Sequence, residues 1–148
     1  MSIEEDIQQT KFASPQQKVM INVLYTSSWL NGVQTRFFKG YDLTPQQYNI
    51  LRILRGQQGE AITLNDISCR MIDKMSNTSR LVEKLRLKGL LERNPGQEDR
   101  RQVEVNITQK GIHLLNEIDG PIMDMHATME LSNEEAETLN RLLDKLRT

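Results

Sequence analysis

Asp99, Arg100 and Arg101 sit together in the stretch NPGQEDRRQVEVNIT, which runs from Asn94 to Thr108. A carboxylate beside two guanidiniums can hold one of them in an aimed rotamer, and an always-charged planar guanidinium suits phosphate oxygens and other concentrated negative charge. A second set lies upstream, Lys74-Met75-Ser76-Asn77-Thr78-Ser79-Arg80, rich in small groups that donate and accept hydrogen bonds. Neither set pairs a nucleophile with a base. The chemistry they support is non-covalent recognition of a polyanion.

The remaining reactive side chains form no catalytic or metal pattern. Cys69 is the only cysteine, which excludes an intramolecular disulfide and fits a reducing, cytoplasmic setting. Its neighbour Arg70 could activate the thiol, but a packed, inert cysteine is the commoner outcome. His113 and His126 lie thirteen residues apart, with no cluster at ligand spacing, so no metal or other cofactor is expected. No nucleophile elbow, phosphate loop or framed acid pair suggests an enzyme. No run approaches the roughly 18 apolar residues of a membrane span, and the acidic start Ile3-Glu4-Glu5-Asp6 is unlike a signal peptide; no membrane partner is expected.

Charge is placed unevenly along the 148 residues. The whole chain carries −1. Residues 70–101 hold nine basic and five acidic side chains, a net of +4, whereas residues 112–148 hold eight acidic and three basic, a net of −5. A basic middle on an acidic chain is the footprint of a polyanion-binding face.

Local signals name the elements that must position these residues. Ser14-Pro15-Gln16-Gln17 and Thr44-Pro45-Gln46-Gln47 each offer a hydroxyl N-cap, a proline at the first helical position and a glutamine at the third. The first predicts a long helix ending near Gly40, with Val19, Met20, Val23, Leu24, Leu30 and Phe37 at helical spacing. The second predicts a helix to Gly56. Thr63 caps a short third helix with Leu64, Ile67 and Met71 inward. After a break at Ile72-Asp73, a fourth carries Leu81, Val82 and Leu85 inward and stops at Gly89. Val103, Val105 and Ile107 alternate with Glu104 and Asn106, a half-buried strand that can pair with Leu90-Leu91-Glu92-Arg93 as a hairpin. Thr108 starts a fifth helix through Leu114, Leu115, Ile118, Ile122 and Met125, which Pro121 should kink or split near Asp119. Ser132-Asn133-Glu134-Glu135 caps an amphipathic last helix with Leu139, Leu142, Leu143 and Leu146.

Short helix, turn, second helix and hairpin make a winged helix-turn-helix. The class is mainly α with a small β-hairpin wing, plus long N- and C-terminal helices. In this fold the second helix enters the major groove by its first turns, where base edges present a distinct hydrogen-bonding pattern. A wing arginine can reach the narrow minor groove, whose negative potential attracts it. Double-stranded DNA is the partner this predicts. A winged-helix protein-interaction module without DNA binding is the alternative.

The stretch TLNDISCRMIDKMSNTSRLVEKLRLKGLLER resembles the helix-turn-helix of the MarR family, the multiple-antibiotic-resistance regulators, and EDRRQVEVNITQKG resembles that family's wing, with Asp99-Arg100-Arg101 on its Asp-x-Arg and Thr108…Gly111 on its Thr-x-x-Gly. Ile72 departs from the pattern, where a small turn residue is common. The resemblance covers nearly all of residues 1–148. It implies a homodimer joined by helices in 14–40 and 109–148, with a DNA-binding lobe at 44–108, acting as a repressor on a pseudo-palindromic operator. The implied DNA-binding residues are Thr63, Lys74, Ser76, Asn77, Thr78, Ser79, Arg80, Lys84, Asp99, Arg100 and Arg101. Arg101 takes the minor-groove position with Asp99 as its brace. Tyr25, Trp29 and Tyr48 would border a pocket for a small aromatic or phenolic effector. Met123, Met125 and Met129 suit either such a pocket or, more readily, dimer packing.

Overall fold

Hydroxyl caps set most helix starts in the computed structural model, which describes residues 2–148. In chain order the elements are α1 (Ile3–Asp6), α2 (Pro15–Lys39), α3 (Pro45–Arg55), β1 (Ile62–Thr63), α4 (Leu64–Arg70), α5 (Thr78–Leu87), β2 (Leu91–Pro95), β3 (Val103–Ile107), α6 (Gln109–Ala127) and α7 (Asn133–Leu146). Thr44, Thr63 and Ser132 each accept the amide of the third helical residue, whose own side chain reaches back in a closed capping box. Each box satisfies amides that the helix leaves without partners. Ser14 caps α2 through the Gln17 amide, but the Gln17 side chain accepts from the Ala13 amide instead of the expected Ser14 amide. That box stays open.

The sheet has three strands in the order β1-β3-β2, all antiparallel. The expected hairpin forms, with Leu91 opposite Ile107 and Arg93 opposite Val105. The additional strand is β1, which sets Ile62 opposite Val105. Because β3 is central, its Glu104 and Asn106 are also half-covered. The core beneath joins Ile50, Leu51 and Leu54 of α3, Ile67 of α4, Val82 and Leu85 of α5, Val105, and Leu115 and Ile118 of α6. Fully burying side chains of this kind contributes about 1.5–3 kcal/mol each.

α6 runs unbroken through Pro121, so the expected split near Asp119 does not occur. Ile118 and Ile122, on either side of the proline, are both buried in the same core and keep the two halves on one path. A bidentate pair from Arg55 to Asp119, at 2.8 and 2.9 Å, ties α3 to the same stretch.

Two helices leave apolar faces uncovered. In α2, only Phe38 is buried, while Val19, Met20, Leu24 (66%) and Trp29 (55%) stay open. α7 has no buried residue, and Leu139, Leu142 and Leu146 are exposed along one face. A patch of this kind on a lone chain marks an interaction surface.

Candidate nucleic-acid interface

Asn49, on the buried side of α3, fixes the turn between α4 and α5: its side-chain oxygen accepts the Ile72 amide at 2.9 Å. This accounts for a turn that tolerates isoleucine. Met71 before it is extended, so no left-handed residue is needed at position 72. Within the turn, the Asp73 carboxylate accepts the Met75 amide at 2.9 Å. The Lys74 ammonium donates to the Cys69 carbonyl. Asn77 then caps α5, accepting the Arg80 amide at 3.1 Å.

These bonds reposition several of the expected contacts. Lys74 and Ser76 lie in the turn ahead of the recognition helix, not on it, and Asn77 is its cap. Thr78, expected on the contacting face, is buried and faces the core. The first α5 residues open to solvent are Ser79 and Arg80, followed one turn later by Lys84. Thr63 spends its hydroxyl on the α4 cap. Cys69, taken as packed, is exposed.

Glu83 couples α5 to the wing. It accepts from Nη2 and Nε of Arg86, at 2.8 and 3.0 Å, and from the Arg93 guanidinium of β2 at 3.0 Å. Arg86 first, then Arg93, holds the Glu83 carboxyl down at about 2. At the wing tip, Gly96 packs so closely that a Cβ there would stand 2.5 Å from the Asp99 carbonyl oxygen. The Gly96 amide donates to Gln102 at 2.8 Å, and the Gln102 amide to Asp99 at 3.0 Å. The Asp99 carboxylate accepts the Arg101 backbone amide at 2.9 Å. It therefore braces the main chain of the tip, not a guanidinium as the sequence suggested. Arg100 and Arg101 are exposed.

The base of the wing is equally fixed. Thr108 caps α6 through the Gly111 amide and donates its hydroxyl to the Gly89 carbonyl. A side chain at Gly111 would overlap the Leu90 carbonyl oxygen and stand 2.7 Å from Ile107 Cγ1. Only glycine lets α6, β3 and the end of α5 meet there.

The expected aromatic pocket does not assemble from its three residues. Tyr25 and Trp29 line an open cleft of about 510 Å³ with α1 residues Ile3, Glu4 and Asp6. Tyr48 is elsewhere, stacked on Phe38 with ring centroids 4.4 Å apart, and burial raises its phenol pKa. Among the described residues no helix is long and apolar enough to cross a membrane.

Known proteins resemble this chain in sequence and fold. The model of the MarR family matches residues 43–103, the span from the start of α3 to the wing. A solved MarR transcription factor from Planctomyces limnophilus is 29% identical and superposes with a TM-score of 0.69 over 90% of this chain and 98% of its own. The likeness to the MarR family rests on residues 43–103. The transcriptional repressor MprA of Escherichia coli is 25% identical over 136 residues, covering 89% of this chain and 77% of its own. S. aureus MepR in its DNA-binding conformation is 25% identical, with a TM-score of 0.71 over 86% of this chain and 95% of its own. The matched span also contains three residues that sequence reasoning missed as organisers. Asn49, Glu83 and Arg93 carry their signal only in pairs distant along the chain, and a polar residue amid the α3 core positions was the one available hint.

Proposed function

We propose that this chain is a homodimeric transcription regulator of the MarR type, a repressor, that reads a pseudo-palindromic operator in double-stranded DNA. The observation that carries this is the rigid link between two cationic projections. Ser79, Arg80 and Lys84 face outward from α5, and Glu83 and Arg93 fasten that helix to the wing that exposes Arg100 and Arg101. A helix and a wing held at one spacing match adjacent grooves of B-form DNA. Residues 44–108 form the DNA-binding lobe, and the open faces of α2 and α7 join two chains. A small aromatic or phenolic effector acts by changing the distance between the lobes, with Tyr25 and Trp29 as its contacts. MprA, a transcriptional repressor, and MepR, solved in a DNA-binding conformation, support the same function.

Fluorescence anisotropy of a labelled random duplex, titrated across a salt series, tests this. Log K falls linearly with log salt, and Arg101→Ala flattens the slope by about one unit per wing engaged. Absence of duplex binding at low salt contradicts DNA recognition and favours a protein partner. An unchanged slope removes Arg101 from the contact.

A further inference from the structure

Several polar groups of the turn ahead of α5 are bonded within the protein or turned inward. The Ile72 amide goes to Asn49, the Met75 amide to Asp73 and the Lys74 ammonium to Cys69. The Ser76 and Thr78 hydroxyl oxygens are buried. Beside the exposed Asp73, Lys74 and Asn77, this pinned backbone also holds two apolar side chains in solvent: Met75 is 92% exposed and Ile72 78%. Such a pair has little to gain in water, and its backbone bonds prevent the turn from folding it inward.

The surroundings identify what covers it. Arg70, Lys74, Arg80 and Lys84 lie on the flanking residues and are all exposed, four cations against the single exposed carboxylate of Asp73, so the surface that approaches is anionic. Met75 stands two residues ahead of the α5 cap, continuous with the outward Ser79 and Arg80. In the major groove the apolar feature on a base edge is the 5-methyl group of thymine. A flexible, polarizable thioether adapts well to such a group.

We propose that Met75, flanked by Ile72, determines specificity by contacting a thymine methyl group in each half-site; this rests on the DNA-binding function proposed above. Methionine at this position selects T over C through the methyl group, and it does so from the turn, outside the helix that carries the polar contacts.

The test starts from a duplex selected by the wild-type protein from random DNA. Each thymine is then replaced in turn by deoxyuridine, which removes the methyl and keeps the base pair. Burying one methyl is worth about a four-fold change in affinity, so a symmetrical pair of replacements lowers wild-type affinity about 15-fold at one position of the half-site. Met75→Ala loses the same factor on the thymine duplex and shows no further loss on the deoxyuridine duplex. Its side chain touches solvent alone, so its circular dichroism and melting match wild type. Equal wild-type affinity for both duplexes overturns the proposal. So does a full deoxyuridine penalty retained in Met75→Ala, whatever Ile72→Ala does. If no duplex is selected, the DNA-binding function fails and this proposal with it; if a duplex is bound but indifferent to the methyl, only this proposal fails.

Discussion

Asn77 separates a capping role from a base-reading one. Its side-chain oxygen accepts the Arg80 amide at 3.1 Å, at the head of a ten-residue helix. Asn77→Ala removes that acceptor and leaves one amide to water, at a cost of about 1 kcal/mol, within a range of roughly 0.5–2. Asn77→Ser keeps a capping oxygen of equal rank and should hold wild-type stability. For a urea slope of about 2 kcal/mol per molar, the alanine variant moves the unfolding midpoint down by about 0.5 M. The series is read by circular dichroism at one fixed protein concentration, since association shifts apparent stability. Fraying at the head of α5 should weaken binding to selected and random duplexes by a similar factor, about five-fold for 1 kcal/mol, and serine should restore both. An unchanged midpoint for alanine refutes the cap. A serine variant that is stable yet loses only its preference for the selected duplex shows instead that the Asn77 amide reads a base.

Three other outcomes follow from the same geometry. Gly111→Ala gains helix propensity of about 1 kcal/mol, yet its methyl overlaps the Leu90 carbonyl; overpacking of about 1–3 kcal/mol or more should dominate, and a higher melting temperature contradicts the close approach. The Glu83 carboxyl is held at about 2 against an ordinary value of 4.5, so its folded pKa is depressed. Its stabilising effect is complete above about pH 4.5 and is lost as pH falls toward 2. Glu83→Gln should make acid unfolding less pH-dependent in that window; superimposable curves refute the pairing. Leu142→Ser should shift the monomer–dimer equilibrium by about 3 kcal/mol or more, because a two-fold interface buries two copies. Sedimentation equilibrium reads this, and an unaltered dissociation constant excludes the α7 face from the interface.

Legibility in the sequence follows the distance over which each signal acts. Ser14, Thr44, Thr63 and Ser132 act on amides three residues away, so helix starts could be named from the chain alone. The Val103-Val105-Ile107 alternation is local in the same sense. β1 is two residues long and finds its partner at Val105 across more than forty positions, so no nearby residue announces it. Thr78 lies four residues before Val82 and seven before Leu85, on the buried face of α5, whereas Ser79 points about 100° further round the helix. Chemical type alone could not separate them. Tyr25, Trp29 and Tyr48 are alike as aromatics, yet Tyr48 lies on Phe38 and Trp29 is open to solvent. Side-chain identity gave their capacity for packing but not their location.

Sedimentation velocity of the protein with a selected duplex, combined with guanine N7 methylation protection and hydroxyl-radical footprinting of the same complex, tests the central claim most directly. A homodimer of winged lobes predicts two chains per duplex and two protected major-groove segments about one helical turn, ~10 bp, apart, each flanked by minor-groove protection that Arg101→Ala removes. One chain per duplex, or a single protected segment without flanking signal, contradicts it.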